Sequence, residues 1–247
     1  MAALAAQQDD LTALVSPLDD AGWQGSTRCE GWTIADVVLH LAQTNEMAIA
    51  SLQDRYEQVL AALAGDLGPA SSVDDGAALM VARERGQASE AVRDRWQQSV
   101  DALRRELGTC DPGRRVVWVA GTLSARTLAT TRLAETWIHT GDIAVPLGRP
   151  VADDDRLWHI ARLAWRTLPY AFAQAGRELA GPVTFDLAAP NGDTWHFEPD
   201  EEPLTVIEGS AFDLCLVAGQ RAVAADTGLA GRGPDARAVL DLVRTFA

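Results

Sequence analysis

Lysine is absent from this chain, so all 21 basic residues are arginine. That excludes Schiff-base chemistry, attachment of pyridoxal phosphate and the lysine of a Walker A loop. Cysteine is scarce: Cys29, Cys110 and Cys215 are odd in number, widely spaced and form no C-x-x-C. Neither a disulfide framework nor a thiolate zinc site is indicated, and the three are expected to be reduced and partly buried. Positive charge is also in deficit. A net charge of −14 argues against nucleic acid, whose phosphates need basic side chains, and favours an acidic, soluble surface. No apolar run approaches a membrane span, and Met1 to Asp10 lacks the basic start and apolar core of a signal peptide. The cytoplasm is the expected compartment. There is no G-x-S-x-G, no H-E-x-x-H, no G-x-G-x-x-G after a strand and no Cys/His pair at a family spacing, which leaves serine and cysteine nucleophiles unsupported.

What the chain does have is length and apolar content: 247 residues, 47% hydrophobic, enough for one large domain or two ordinary ones with a real core. Its informative stretch is Ala134-Glu135-Thr136-Trp137-Ile138-His139, inside the run from Thr122 to Val145. This reads as a helix, and there Glu135 and His139, four positions apart, share a face. A carboxylate and an imidazole so placed can share a proton or a metal ion, although the spacing alone is generic. The best third donor elsewhere is His40.

Leu11, Leu14, Val15 and Leu18 give residues 2–20 the apolar stripe of a first helix, ended or kinked by Pro17. Gly22 to Gly31 reads as a loop. Thr33 and Asp36 form an [ST]-x-x-[DE] helix start, so a long second helix is expected from there towards Ala64 with His40 two turns in. Gly65 to Gly76 breaks the chain, and Ala77 to Leu107 reads as continuous helix. After a short apolar run from Val116 to Gly121, Thr122 or Ser124 can cap the fourth helix, which carries Arg126, Arg132, Glu135, His139 and Asp142 and is stopped by Pro146 and Gly148. Four long helices predict a four-helix bundle, whose metal sites are built from inward-facing side chains on neighbouring helices.

Beyond Pro150, Asp153-Asp154-Asp155 opens an amphipathic helix with Leu157, Ile160, Ala164, Leu168 and Phe172, where His159 reads as a surface or packing residue. From Gly181 the period changes to two. Val183 to Leu187 and Thr194 to Glu198 flank the turn Pro190-Asn191-Gly192-Asp193 as a β-hairpin, with His196 on its solvent face. Leu204 to Glu208 reads as a third strand, Ser210 as the cap of a helix through Ala218, and Pro234 as the start of a last helix to Phe246. The expected fold is α+β and mainly α: a helical bundle over 1–150, a linking helix packed on it over 151–180, and a small α+β domain with an antiparallel sheet over 181–247.

The stretches Gly31-Trp32-Thr33-Ile34-Ala35-Asp36-Val37-Val38-Leu39-His40-Leu41-Ala42 and Glu135-Thr136-Trp137-Ile138-His139-Thr140-Gly141-Asp142-Ile143-Ala144 resemble the two signatures of the mycothiol-dependent maleylpyruvate isomerase family. That family lies within the DinB-like superfamily of metal-binding four-helix bundles. The resemblance spans nearly the whole chain, and Phe212 to Ala222 is similar to the family's L-x-L-x-x-x-G-R-A stretch. It implies a divalent metal, zinc in the first instance, held by His40, Glu135 and His139 with one position open, as in catalytic zinc sites. A thiol bound there would be deprotonated, and in the family such a thiolate adds to an activated double bond, which makes the chain an isomerase or, where the adduct is kept, an S-transferase. The implied partners are a small electrophilic substrate and mycothiol, with the chain a monomer or homodimer. The family's C-terminal arginine maps onto Arg221, with Gln220 interrupting the G-R pair. Arg221 can serve the thiol cofactor or be a surface cation. Asp142 can orient His139 or sit as a solvated helix-end carboxylate, and Asp36 is a further neighbour of His40. Arg132 can bind an anionic substrate or pair with Glu135. A non-catalytic binding protein, and a hydrolase using zinc-bound water with Asp36 or Asp142 as base, are the competing readings.

Overall fold

The computed structural model describes residues 1–65, 72–119 and 121–245, in two compact units, Met1–Val151 and Ala152–Ala247. In the first unit the order is α1 (Ala2–Val15), α2 (Asp20–Trp23), α3 (Ile34–Leu52), α4 (Tyr56–Ala64), α5 (Val73–Glu84), α6 (Ser89–Thr109), β1 (Arg115–Trp118), β2 (Gly121–Ser124) and α7 (Ala125–Ala144). Helices α1, α3, α6 and α7 form the expected bundle: α3 packs on α6 and α7, and α1 on α7 and α6. Leu11, Trp23, Val37, Val38, Leu41 and Trp96 lie in its apolar centre. Burying Trp96 strands one indole N–H, and Thr12 Oγ1 accepts it at 3.0 Å.

Caps read from the sequence are in place. Thr33 Oγ1 accepts from Asp36 N at 3.2 Å and Asp36 Oδ2 accepts from Thr33 N at 2.9 Å, a reciprocal capping box that satisfies two orphan N–H groups. Ser124, not Thr122, caps α7 through Thr127 N. Continuity is where the expectations need correction. The first helix, drawn over 2–20, ends at Val15 with Ser16 as its C-cap, just ahead of Pro17 as that proline suggests, and α2 follows as a separate turn. The helix drawn from Thr33 to Ala64 is broken at Gln53 to Arg55, where Asp54 takes a positive φ of 57°, a conformation that aspartate tolerates better than most residues. The one drawn from Ala77 to Leu107 starts earlier and breaks at Gly86, φ 88°. The short apolar run before α7 is one arm of a hairpin, β1 paired antiparallel with β2. Residues 66–71 of the expected loop, Ala120 and the last two residues lie outside the described residues.

The second unit holds α8 (Leu157–Arg166), α9 (Leu168–Gln174), β3 (Val183–Ala188), β4 (Thr194–Phe197), β5 (Thr205–Ser210), α10 (Ala211–Ala218), β6 (Ala230–Arg232) and α11 (Ala236–Leu242). The hairpin of β3 and β4 pairs antiparallel as expected, and Ser210 caps α10. The third strand adds a detail the alternation could not show. Chain direction reverses from β3 to β4 and again from β4 to β5, and β5 lies beside β3, so those two run parallel. With β6 antiparallel on β5, the order is β4-β3-β5-β6. Helix α8 packs on α10, and α11 on β6 and α9. Among the described residues no helix is long and apolar enough to cross a membrane.

Candidate metal centre

From Thr131 to Ala144 every residue of α7 is buried. A helix buried all round can carry polar side chains only if each finds a partner, because an unpaired buried polar group costs free energy comparable to a lost hydrogen bond. Arg132, Glu135, His139 and Asp142 follow one another at helical spacing along this segment, and opposite them runs α3 with His40 and Thr44. Gln7 of α1 donates to Thr140 Oγ1 at 3.1 Å, one of the polar ties that seat α7.

The structure brings the three expected donors together. His40 Nε2 lies 2.8 Å from Glu135 Oε1, and His139 Nε2 lies 3.5 Å from the same oxygen. The two imidazoles stand edge to face with centroids 5.0 Å apart. Donor atoms of His40, Glu135 and His139 all lie within 4.8 Å of one another. The exposed fraction of each side chain is 10% or less. Burial opposes the charge on Glu135, yet hydrogen bonds from His139 and His40 outweigh it and hold the carboxyl well below its usual range. Burial likewise opposes the imidazolium of His139, but Asp142, Cys29 and Glu135 together raise it well above the usual value. Burial wins at His40, whose pKa is lowered.

Two nitrogens and a carboxylate oxygen, converging in a buried place, suit a divalent ion of borderline softness. The second nitrogens differ. His139 Nδ1 lies 2.9 Å from Asp142 Oδ2, which turns Nε2 towards Glu135. His40 Nδ1 is buried without a hydrogen-bond partner, and that ring is steadied by Trp32, with centroids 5.3 Å apart.

The remaining candidates sit as follows. Asp36 completes the cap of α3 and accepts from Arg85 Nε at 3.1 Å, and Asp142 is engaged with His139 and Cys29, so neither carboxylate of the hydrolase reading stands uncommitted. Arg132 is 2% exposed and donates through Nε to Asn45 Oδ1 at 3.2 Å and through Nη2 to Thr44 Oγ1 at 2.8 Å. Burial lowers its pKa, and Glu135 works against that from one turn away. Arg221 belongs to the second unit, where Nη1 donates to Gly219 O at 2.9 Å. His159 packs on Trp158 and exposed His196 pairs with Asp186. Sequence reasoning missed Cys29. Its Sγ lies 3.1 Å from Asp142 Oδ2 and 3.6 Å from His139 Nδ1, and no spacing rule links residues 110 apart.

Comparison with known proteins bears on the family and the fold. Residues 4–144 match the family model of the mycothiol maleylpyruvate isomerase N-terminal domain. Two uncharacterized proteins of Mycobacterium tuberculosis, from strains CDC 1551 / Oshkosh and ATCC 25618 / H37Rv, are each 35% identical over 250 positions, which span 100% of this chain and 95% of theirs. The crystal structure of the mycothiol-dependent maleylpyruvate isomerase superposes with a TM-score of 0.61 at 21% identity, covering 94% of this chain and 93% of that one. A histidine-to-alanine mutant of that isomerase superposes with a TM-score of 0.60. At that identity the two structures speak for the fold.

Proposed function

The chain belongs to the mycothiol maleylpyruvate isomerase family, and from that premise we propose that it is a metal-dependent enzyme using a low-molecular-weight thiol, mycothiol in the first instance. Its substrate in this reading is a small electrophilic, unsaturated molecule, processed by cis-trans isomerisation or by transfer of the thiol. The observation that carries the proposal is the convergence of His40 Nε2 and His139 Nε2 on Glu135 Oε1. These three residues would hold the ion, zinc by the chemistry of the donor set. A divalent cation bound there supplies Lewis acidity that lowers the proton affinity of a thiol at neutral pH.

The chain's own residues do the rest. Glu135 gives the site its negative charge, and Asp142 keeps His139 turned with Nε2 inward. The walls exclude bulk water, which strengthens every charge interaction within them. Arg132 places a desolvated cation one turn from Glu135 with, among the described residues, the neutral acceptors Asn45 Oδ1 and Thr44 Oγ1, and we assign it to an anionic group of the substrate.

The test is elemental analysis of the purified protein and of His139→Ala, with calorimetric titration of mycothiol on both. About one equivalent of zinc that the variant lacks, and thiol binding that needs the metal, is the expected result. Absence of metal from both after reconstitution would sink the proposal.

A further inference from the structure

The loop between α2 and α3 touches both imidazoles. Trp32 packs on the ring of His40, and Cys29, three residues earlier, reaches the far side of the ring of His139. This loop is fastened at several points. Thr27 Oγ1 accepts from Cys29 N at 3.1 Å and donates to Trp32 O at 3.0 Å, while Trp32 N donates to Cys29 O at 3.0 Å. Arg28 N donates to Asp142 O at 3.1 Å. Asp142 is therefore gripped by one loop through its main chain and, by way of Cys29, through its carboxylate.

Asp142 is fully buried, and a buried carboxylate is costly unless its oxygens accept hydrogen bonds. Its Oδ2 takes both His139 Nδ1–H at 2.9 Å and the Cys29 S–H at 3.1 Å. We propose that Cys29 is a positioning residue for metal binding: its thiol fixes the Asp142 carboxylate that keeps His139 turned with Nε2 towards Glu135 and His40. This rests on the reading of His40, Glu135 and His139 as metal ligands.

The reason such a restraint matters is that His139 can be a ligand through either nitrogen. Donor atoms of Cys29, His139 and Asp142 also lie within 4.8 Å of one another. An imidazole with Nδ1 free would offer an ion a sulfur, nitrogen and oxygen set on the wrong side of the ring. With Nδ1–H donated to a carboxylate that is itself held, that side is closed. Loss of an outer hydrogen-bond partner of a ligand histidine commonly costs about 10- to 100-fold in metal affinity. Cys29 acts one bond further out, so about tenfold is expected, at the low end of that range.

The experiment measures zinc affinity by chelator competition and the cobalt(II) absorption spectrum on the parent, Cys29→Ser, Cys29→Ala and His139→Ala, with circular dichroism to confirm folding. Expected are about tenfold weaker binding and shifted cobalt d–d bands in Cys29→Ala, and recovery of most of the affinity in Cys29→Ser, whose hydroxyl can donate the same bond. Equal affinity and an unchanged spectrum in Cys29→Ala would overturn the proposal. So would a strong sulfur-to-cobalt charge-transfer band in the parent that both Cys29 variants lack, since Cys29 would then be a ligand. Should the parent bind neither ion, or His139→Ala bind as tightly as the parent, the metal reading fails and takes this one with it. The three failures are distinct in the data.

Discussion

Replacing Glu135 by Gln removes the one negative charge from the three converging donors while keeping the size of the side chain. The amide oxygen of the Glu135→Gln variant can still accept a hydrogen bond from His40 Nε2, which lies 2.8 Å from Oε1 in the parent, so the bundle is expected to fold. What the variant loses, in the proposed function, is a carboxylate ligand of the ion. Structural zinc sites with four ligands gain roughly 10–16 kcal/mol in apparent binding free energy, or roughly 2.5–4 kcal/mol per ligand. At about 1.4 kcal/mol per decade, the dissociation constant should rise by about 10²- to 10³-fold. Titration with zinc against a chromophoric chelator reads this directly. A second readout in the metal-free protein is the imidazole resonance of His139: burial opposes its charge and Glu135 is one of the groups that raises its pKa, so the variant's titration should move down. A dissociation constant within about threefold of the parent's would refute the reasoning, because the carboxylate would then contribute nothing to the ion.

Arg132→Met should keep the metal while weakening binding of anionic substrates by about 10- to 150-fold, the worth of a charge-assisted hydrogen bond of roughly 1.5–3 kcal/mol; equal KM values for parent and variant would contradict the assignment. Thr33→Ala breaks the capping box of α3 and should cost about 1 kcal/mol in denaturant unfolding, with Thr33→Ser nearly neutral. In the metal-free protein stability should fall on both sides of a plateau. His139, raised well above 6.5, contributes stability that is fully present below pH 6.5 and lost as pH rises through its folded value. Glu135, held well below 4.5, contributes stability present above pH 4.5 and lost as pH falls through its folded value. Lowered His40 adds to the acid-side loss, since its buried ring must take up a proton that the unfolded chain accepts more readily. Unfolding free energies that climb steadily from about pH 6.5 to about pH 9 would count against this electrostatic picture.

The helices that carry His40, Glu135 and His139 were legible because their signals are local. A capping box needs only Thr33 and Asp36, and the placing of Glu135 and His139 on one face needs only the five residues of helix from one to the other. The hairpin of β3 and β4 announced itself through its turn in the same way. Pairings that depend on the rest of the fold were not legible. Asp54 carries a left-handed turn with no glycine or proline to mark it, and β5 lies beside β3 because of where the chain passes, not because of its alternation. Cys29 was hidden for that reason too: a cysteine in a loop gives no sign that it will face an aspartate in a helix 113 residues later.

Those separations have a consequence for how the protein assembles. His40 meets Glu135 across 95 residues, Cys29 meets Asp142 across 113, and Gln7 meets Thr140 across 133. Each contact closes a long loop whose entropy must be spent before the contact forms. Occupancy of the centre thus reports on the whole first unit at once: any partial opening that frees α7 or the loop before α3 dissolves the constellation. The ion, in this reading, is a gauge of native topology as well as a reagent.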